Sequence, residues 1–156
     1  YRKDATHING MTLGAFTGYF RERKSLKNIT HPYDDYKAHI VLGVIYNTVH
    51  DIDERKTYTL DQLGEIVSVI KDFQFFVQEK WQIAIDRPGS GNTKNIGSVS
   101  KIEDLVNGNG TFAELGEDVF NDYWMYYLTA DMAKKAELPK PYYSNLAEYK
   151  QFKHMD

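Results

Sequence analysis

Lys80–Ser98 reads KWQIAIDRPGSGNTKNIGS, and the order of residue types along it sets the fold class. Lys80–Ile85 is apolar or aromatic at enough positions to form a strand. Phe73–Val77 just before it reads the same way, with Gln78–Glu79 between them as a turn. From Asp86 to Ser98, glycine, proline, serine and asparagine take over, and a long loop is expected. Beyond Ser98 the apolar period changes. Ser100-x-x-Glu103 is a capping box opening a short helix that Gly108 ends. Phe112, Leu115, Val119, Phe120, Tyr123, Tyr127 and Leu128 recur at three- and four-residue spacing, which predicts one long amphipathic helix. Pro139 and Pro141 break that pattern, and Ser144 can cap a last helix through Phe152.

Working outward toward the start, Ala38–Val49 is crowded with β-branched residues and predicts a buried strand. Met11–Phe20 is strand-like but weakened by Gly14 and Gly18. Lys24–His31 reads as a polar loop and His50–Lys56 as a charged connection. Thr59 or Asp61 can cap a short helix through about Val67. The sum is a mixed α/β (α+β) chain, strands in its first part and helices in its C-terminal part. No repeat, low-complexity tract or linker divides residues 1–156, so one domain is expected.

Composition narrows the function classes. The chain has 156 residues, 42% hydrophobic and 26% charged, which is ordinary globular usage with enough apolar content for a core. It has no cysteine, which removes disulfide scaffolds, thiolate zinc sites and cysteine nucleophiles and fits a reducing compartment. A net charge of -3 excludes a bulk polycation, though not a specific binder with a local basic cleft. No apolar run is long enough for a membrane span, and no leader is expected. The chain opens on Tyr1-Arg2-Lys3-Asp4, which resembles neither leader nor tag and reads as the start of a fragment whose N-terminal part is missing.

Gly89-Ser90-Gly91-Asn92-Thr93-Lys94-Asn95 is the stretch richest in chemistry. Its glycines let the backbone approach a ligand closely, while Ser, Asn, Thr and Lys offer donors and acceptors with little bulk. Such a loop can read base edges: an Asn amide pairs with adenine N6/N7, and a Thr methyl packs on the thymine methyl. It can equally cradle phosphate through backbone N–H groups, or simply connect two elements in solvent. It is not a P-loop, because the Gly-Lys-Ser/Thr ending is absent. Asp4 with Glu22-Arg23-Lys24 mimics the acidic and lysine pattern of a metal nuclease, but Glu22 falls in a loop-like stretch. Asp34-Asp35 reads as a solvated turn. His7, His31, His39, His50 and His154 have no helical zinc spacing, and no Gly-x-Ser-x-Gly elbow supports a hydrolase triad. Trp81, Trp124 and Tyr123–Tyr127 read as packing residues. Lys134, Lys135, Lys150 and Lys153 could touch phosphate or simply be solvated.

Taken with its flanks, the loop resembles one family. Lys80-Trp81-x-Ile83-Ala84, Gly89–Thr93 and Asn95–Ser98 are similar to the recognition loop of EcoRV-like type II restriction endonucleases. The likeness extends in order through Thr12-Leu13-Gly14 with Thr17, Lys27-Asn28-Ile29, Pro32 with Asp34 and Tyr36, and Ala38-His39. It continues through Lys56-Thr57-Tyr58, Asp122-Tyr123-Trp124 and Glu148-Tyr149.

The resemblance implies a restriction-endonuclease-like fold in a cytoplasmic bacterial homodimer. It implies Mg²⁺-dependent cutting of a short palindromic double-stranded DNA site (GATATC-like), leaving 5′-phosphates. Gly89, Gly91 and Asn92 would bond outer bases in the major groove, with Thr93 at the thymine. Ser90, Lys94 and Asn95 would steady the loop or touch sugar-phosphate, while Thr12, Thr17, Lys27 and Tyr1 would support the loop or the backbone. Tyr1 aligns just after the family's Asp-x-Lys stretch, so the catalytic acids, the lysine and the Mg²⁺ ligands are expected before Tyr1, with none in this chain. The chain would then be the C-terminal, DNA-recognition part of a single endonuclease domain. Thr48, Met125 and Thr129 stand near positions where the family carries arginines, which places the phosphate contacts in question; Lys134, Lys135 or Lys150 could replace them. The alternative is a non-catalytic DNA-binding module that keeps the loop and has lost the nuclease centre.

Overall fold

Strands form where β-branched and aromatic residues alternate, and the turns between them fall at the glycines and polar clusters. In the computed structural model, the described residues are 4–17, 31, 35–50, 52–53, 55–89 and 94–155. The elements in order are β1 (Thr12–Ala15), β2 (Ile40–Thr48), a 3₁₀ turn (Leu60–Glu65), β3 (Ile70–Glu79), α1 (Lys80–Ile83), β4 (Ala84–Pro88) and β5 (Asn95–Ser98). Four helices complete the chain: α2 (Ile102–Asn107), α3 (Glu117–Tyr126), α4 (Ala130–Lys135) and α5 (Leu146–Lys153). This is the mixed α and β chain expected, with strands early and helices late.

The strands make two antiparallel sheets, one ordered β1-β5-β4 and the other β2-β3. In the second, Leu42 pairs with Val77 and Val44 with Phe75. Alternation along β2 buries Ile45 and leaves Ile40, Leu42 and Val44 exposed; β3 buries Phe76 and exposes Phe73, Phe75 and Val77. Ala38–Val49 was expected to be a buried strand. The strand is there, but only one of its faces is covered.

Several local expectations shift for identifiable reasons. Lys80–Ile85 does not continue as a strand: Lys80–Ile83 is one helical turn, closed by the Glu79 N–H donating to the Gln82 side chain (3.0 Å). The break turns the chain from one sheet into the other, and β3 runs straight through the expected turn at Gln78–Glu79. Asp86–Ser98 is not all loop, since β4 and β5 occupy both its ends. The capping box at Ser100 is absent: Lys101 is the N-cap of α2, and its ammonium pairs with Glu103 (2.8 Å). Gly108 does end α2, in the left-handed conformation at φ 71°. The long helix expected over 112–128 is shorter, starting only after Gly116 at φ 87°. Thr59 caps the 3₁₀ turn as expected, its N–H and hydroxyl both donating to the Gln62 side-chain carbonyl. The last helix is capped by Asn145, whose side chain accepts from the Glu148 N–H, one residue beyond the expected Ser144.

The core lies between the three-stranded sheet and the helices. Phe16, Phe112, Phe120, Tyr123, Trp124, Tyr143 and Tyr149 are all buried and packed ring against ring. Phe16, immediately after β1, sits 5.1 Å from Trp124 and 5.4 Å from Tyr127, centroid to centroid. These contacts carry much of the attraction between sheet and helices, since each aromatic buries a large area and tilted or edge-on rings gain further.

Candidate nucleic-acid interface

The chemistry-bearing loop stands at the end of the β4–β5 hairpin, and its base is closed by the backbone. The Gly89 N–H donates to the Asn95 carbonyl (3.0 Å), and the Phe16 N–H donates to the Lys94 carbonyl (2.9 Å). The first bond holds the two ends of the loop together. The second ties the loop to the residue that packs against Trp124.

Beneath the loop, β1 packs closely against Gly89. A Cβ on Gly89 would lie 3.1 Å from the Thr12 methyl and 3.2 Å from the Gly97 Cα. The Thr12 methyl thus lies against Gly89, and Thr12 stands opposite Gly97 in the β1–β5 register. Ser98 secures the same edge: its N–H donates to the Met11 carbonyl (3.1 Å), and its hydroxyl accepts from the Met11 N–H (3.0 Å). Beside this edge a cleft of about 310 Å³ opens between Asn9, Met11, Arg87, Gly89 and Ser100.

Of the residues singled out in the sequence, the structure brings Thr12, Gly89, Lys94 and Asn95 together at this hairpin base. Gly89, Lys94 and Thr12 are exposed and Asn95 is half-buried. Thr17 is buried, at 7% exposure, so its contribution is to packing next to Phe16. Tyr1, Lys27, Ser90, Gly91, Asn92 and Thr93 lie outside the described residues, as do Glu22, Lys24 and Asp34.

Thr129 and Met125, near positions where the resemblance implies arginines, are engaged within the chain. The Thr129 side chain accepts from the Met132 N–H (3.3 Å) as the N-cap of α4, and Met125 packs against the core. Lys134 and Lys135 are exposed. Lys153 forms an ion pair with Asp122 (2.7 Å).

Two cations-to-be lie apart from the loop. Lys80 is 6% exposed, and burial pushes its ammonium down to about 8, partly offset by Glu117. His39 is pushed down to about 4, first by burial and then by the Lys80 charge. His39 is therefore neutral at pH 7 and reads as a packing residue beside Tyr36 (5.4 Å).

The described residues do not fit a magnesium site. Among them no three His, Asp or Glu side chains converge as metal ligands. The Asp4 carboxylate accepts from the Thr6 and His7 N–H groups (both 2.8 Å), bonds that hold it down at about 2. No cleavage step is derived from these residues.

Sequence reasoning missed Asp86, taken as the first residue of a long loop. It lies in β4, and its carboxylate accepts from the Leu146 N–H (2.9 Å). No local signal marks it, because its partner lies sixty residues further on.

The family model for restriction endonuclease EcoRV matches residues 1–154. Over 141 residues, 89% of this chain, the sequence is 40% identical to the type II restriction enzyme EcoRV of Escherichia coli. The chain spans 54% of that protein's length, about half.

Proposed function

Because the chain belongs to the EcoRV restriction endonuclease family, we propose that it is the DNA-recognition part of a site-specific deoxyribonuclease. The enzyme recognises a short palindromic duplex, GATATC or a site sharing its outer bases, and hydrolyses it to 5′-phosphate ends as a homodimer in the bacterial cytoplasm. The Mg²⁺ that such hydrolysis uses would be held by residues preceding Tyr1. In this chain the work is binding and reading.

The observation that carries the proposal is the closed base of the hairpin. The bond from the Gly89 N–H to the Asn95 carbonyl brings the two ends of segment 90–94 together at the end of an antiparallel strand pair. Reading base edges in the major groove requires small polar groups held at fixed height, since a bidentate amide–adenine pair tolerates little displacement. Between those ends the sequence offers Asn92 as the amide and Thr93 as the methyl. Gly89 and Gly91 keep the backbone free of side chains where it would meet the bases. Lys94 and Asn95 at its foot, with Thr12 beneath, suit support and backbone contact; Tyr1, Lys27 and Ser90 are assigned the same role, and the buried Thr17 supports the loop by packing alone. Part of the specificity would come from bending flexible central steps of the site, which proteins read without touching.

The test is Asn92→Ala in the full-length protein. Its discrimination between the GATATC duplex and one with an altered outer base pair should fall by about 1–3 kcal/mol, the worth of a bidentate base contact. Unchanged preference would reject the assignment.

A further inference from the structure

Asp86 reaches from the recognition hairpin into the helical layer in two directions. Its carboxylate Oδ2 accepts from the N–H of Leu146, the first residue of α5 (2.9 Å). Its carbonyl accepts from the Tyr123 hydroxyl of α3 (2.5 Å). The helices meeting there are themselves joined, because the Tyr143 hydroxyl donates to the Tyr123 carbonyl (2.7 Å). A helix leaves its first N–H groups without intrahelical partners, and here one is satisfied by a carboxylate on a strand. Three residues beyond Asp86 the chain reaches Gly89 and the loop. The opposite foot of that loop, Lys94, is tied through Phe16 to Trp124 and Tyr127. Both feet of the loop thus rest on one aromatic layer.

We propose that Asp86 is a positioning residue for base recognition: by capping the start of α5 from strand β4, its carboxylate fixes the end of β4, and with it Gly89 at the foot of the recognition loop, against the helical layer. It acts through the loop and touches no DNA. This inference rests on the reading of that loop as the base-reading element. A strand held only by its sheet neighbours can rock about its long axis. A side chain fixed to a helix terminus removes that freedom at the point where an error of about 1 Å matters most.

The experiment measures kcat/KM of the full-length protein on the GATATC duplex and on a duplex with one outer base pair altered, together with Tm. Asp86→Ala should lower the ratio of the two by about tenfold. Asp86→Asn, whose amide oxygen still accepts from the Leu146 N–H, should recover most of it. Leu146→Pro deletes the donor at a helix position where proline is tolerated, so it should reproduce the loss with Asp86 in place. It also decides the matter should Asp86→Ala fail to fold. Ala133→Gly, which weakens α4 away from the latch, should lower Tm and leave the ratio alone. A ratio unchanged in Asp86→Ala or in Leu146→Pro overturns the inference, as does an equal loss in Ala133→Gly. If Asn92→Ala lowers the ratio while the latch variants do not, only the positioning role falls. If Asn92→Ala is also without effect, the reading of the loop falls and takes this inference with it.

Discussion

Gly97 faces Gly89 across the base of the hairpin so closely that a Cβ on Gly97 would lie 3.0 Å from the Gly89 Cα and 2.9 Å from the Arg87 carbonyl oxygen. Two of the atoms in the way are backbone, so they cannot swing aside as a flexible side chain would. Gly97→Ala is expected to destabilise the protein by about 1–3 kcal/mol in urea unfolding, the usual cost of overpacking. It should also weaken site discrimination, because the strain falls on the foot of the loop. Gly10→Ala is the control: nothing lies within 4 Å of its Cβ. It should stay within about 0.5 kcal/mol of the parent.

Lys80 and His39 make stability depend on pH at both ends of the scale. Burial holds the Lys80 ammonium at about 8, against an ordinary value of 10.5. Between those two pH values the folded chain has lost a proton that the unfolded chain keeps, so stability should rise as pH rises through that window. Below it the full cost is present, on the order of 3 kcal/mol for a shift of this size. Lys80→Met should therefore stabilise the protein at pH 7 and flatten the rise. His39, held at about 4 against 6.5, favours the neutral ring when folded, so stability should be lost as pH falls from 6.5 toward 4. Because the Lys80 charge contributes to that shift, Lys80→Met should soften the acid loss too. Urea midpoints across a pH series would show both effects; a profile unchanged by Lys80→Met would exclude them.

Much of this was legible in the sequence where local chemistry decides the structure. Gly108 ends α2 because its backbone must turn left-handed, and Thr59 caps its turn through an adjacent side chain. The family resemblance rested on many separated identities. The turn at Lys80–Ile83 was hidden because Trp81 and Ile83 alternate with polar residues as a strand would, while the helical bond pattern comes from Glu79 and Gln82. The helix over 112–128 was drawn too long because Phe112 and Phe120 pack edge-on in one core, so the apolar spacing runs across Gly116. Asp86 was invisible because nothing near it announces a partner at Leu146. Composition showed that β2 is apolar on both faces but not that one of them stays open.

The last helix is fastened by a three-member polar contact at the edge of the core. The Tyr149 hydroxyl donates to Asp122 Oδ2 (2.5 Å), and the Lys153 ammonium pairs with the same oxygen (2.7 Å). Hydrogen bonds to charged groups contribute about 1.5–3 kcal/mol, whereas half-exposed ion pairs contribute little. Tyr149→Phe should thus destabilise by about 1–2 kcal/mol, and Lys153→Ala by well under 1 kcal/mol. Comparable losses from the two, measured by thermal unfolding, would reverse that ranking.

The outer face of β2–β3 places Leu42, at 68% exposure, opposite Val77, at 60%, with Val44 and Phe75 beside them. Ile40 and Phe73 extend the same apolar surface along the ribbon. Water around so many adjacent apolar side chains is released when two such faces meet, and apolar association yields about 25 cal/mol per Å² covered. Strands of this kind in lasting monomers usually carry charge. The 156-residue chain alone is therefore expected to self-associate at micromolar concentration and to bind a hydrophobic dye. Replacing Leu42 and Phe75 together by lysine should shift it toward monomer and reduce dye binding. Since both side chains point away from the buried Gly43, Ile45 and Phe76, thermal stability should change by less than about 1 kcal/mol. Sedimentation velocity on both chains tests this directly: a parent chain that is already monomeric, or a double variant that unfolds, would mean that this face is covered from within the chain itself.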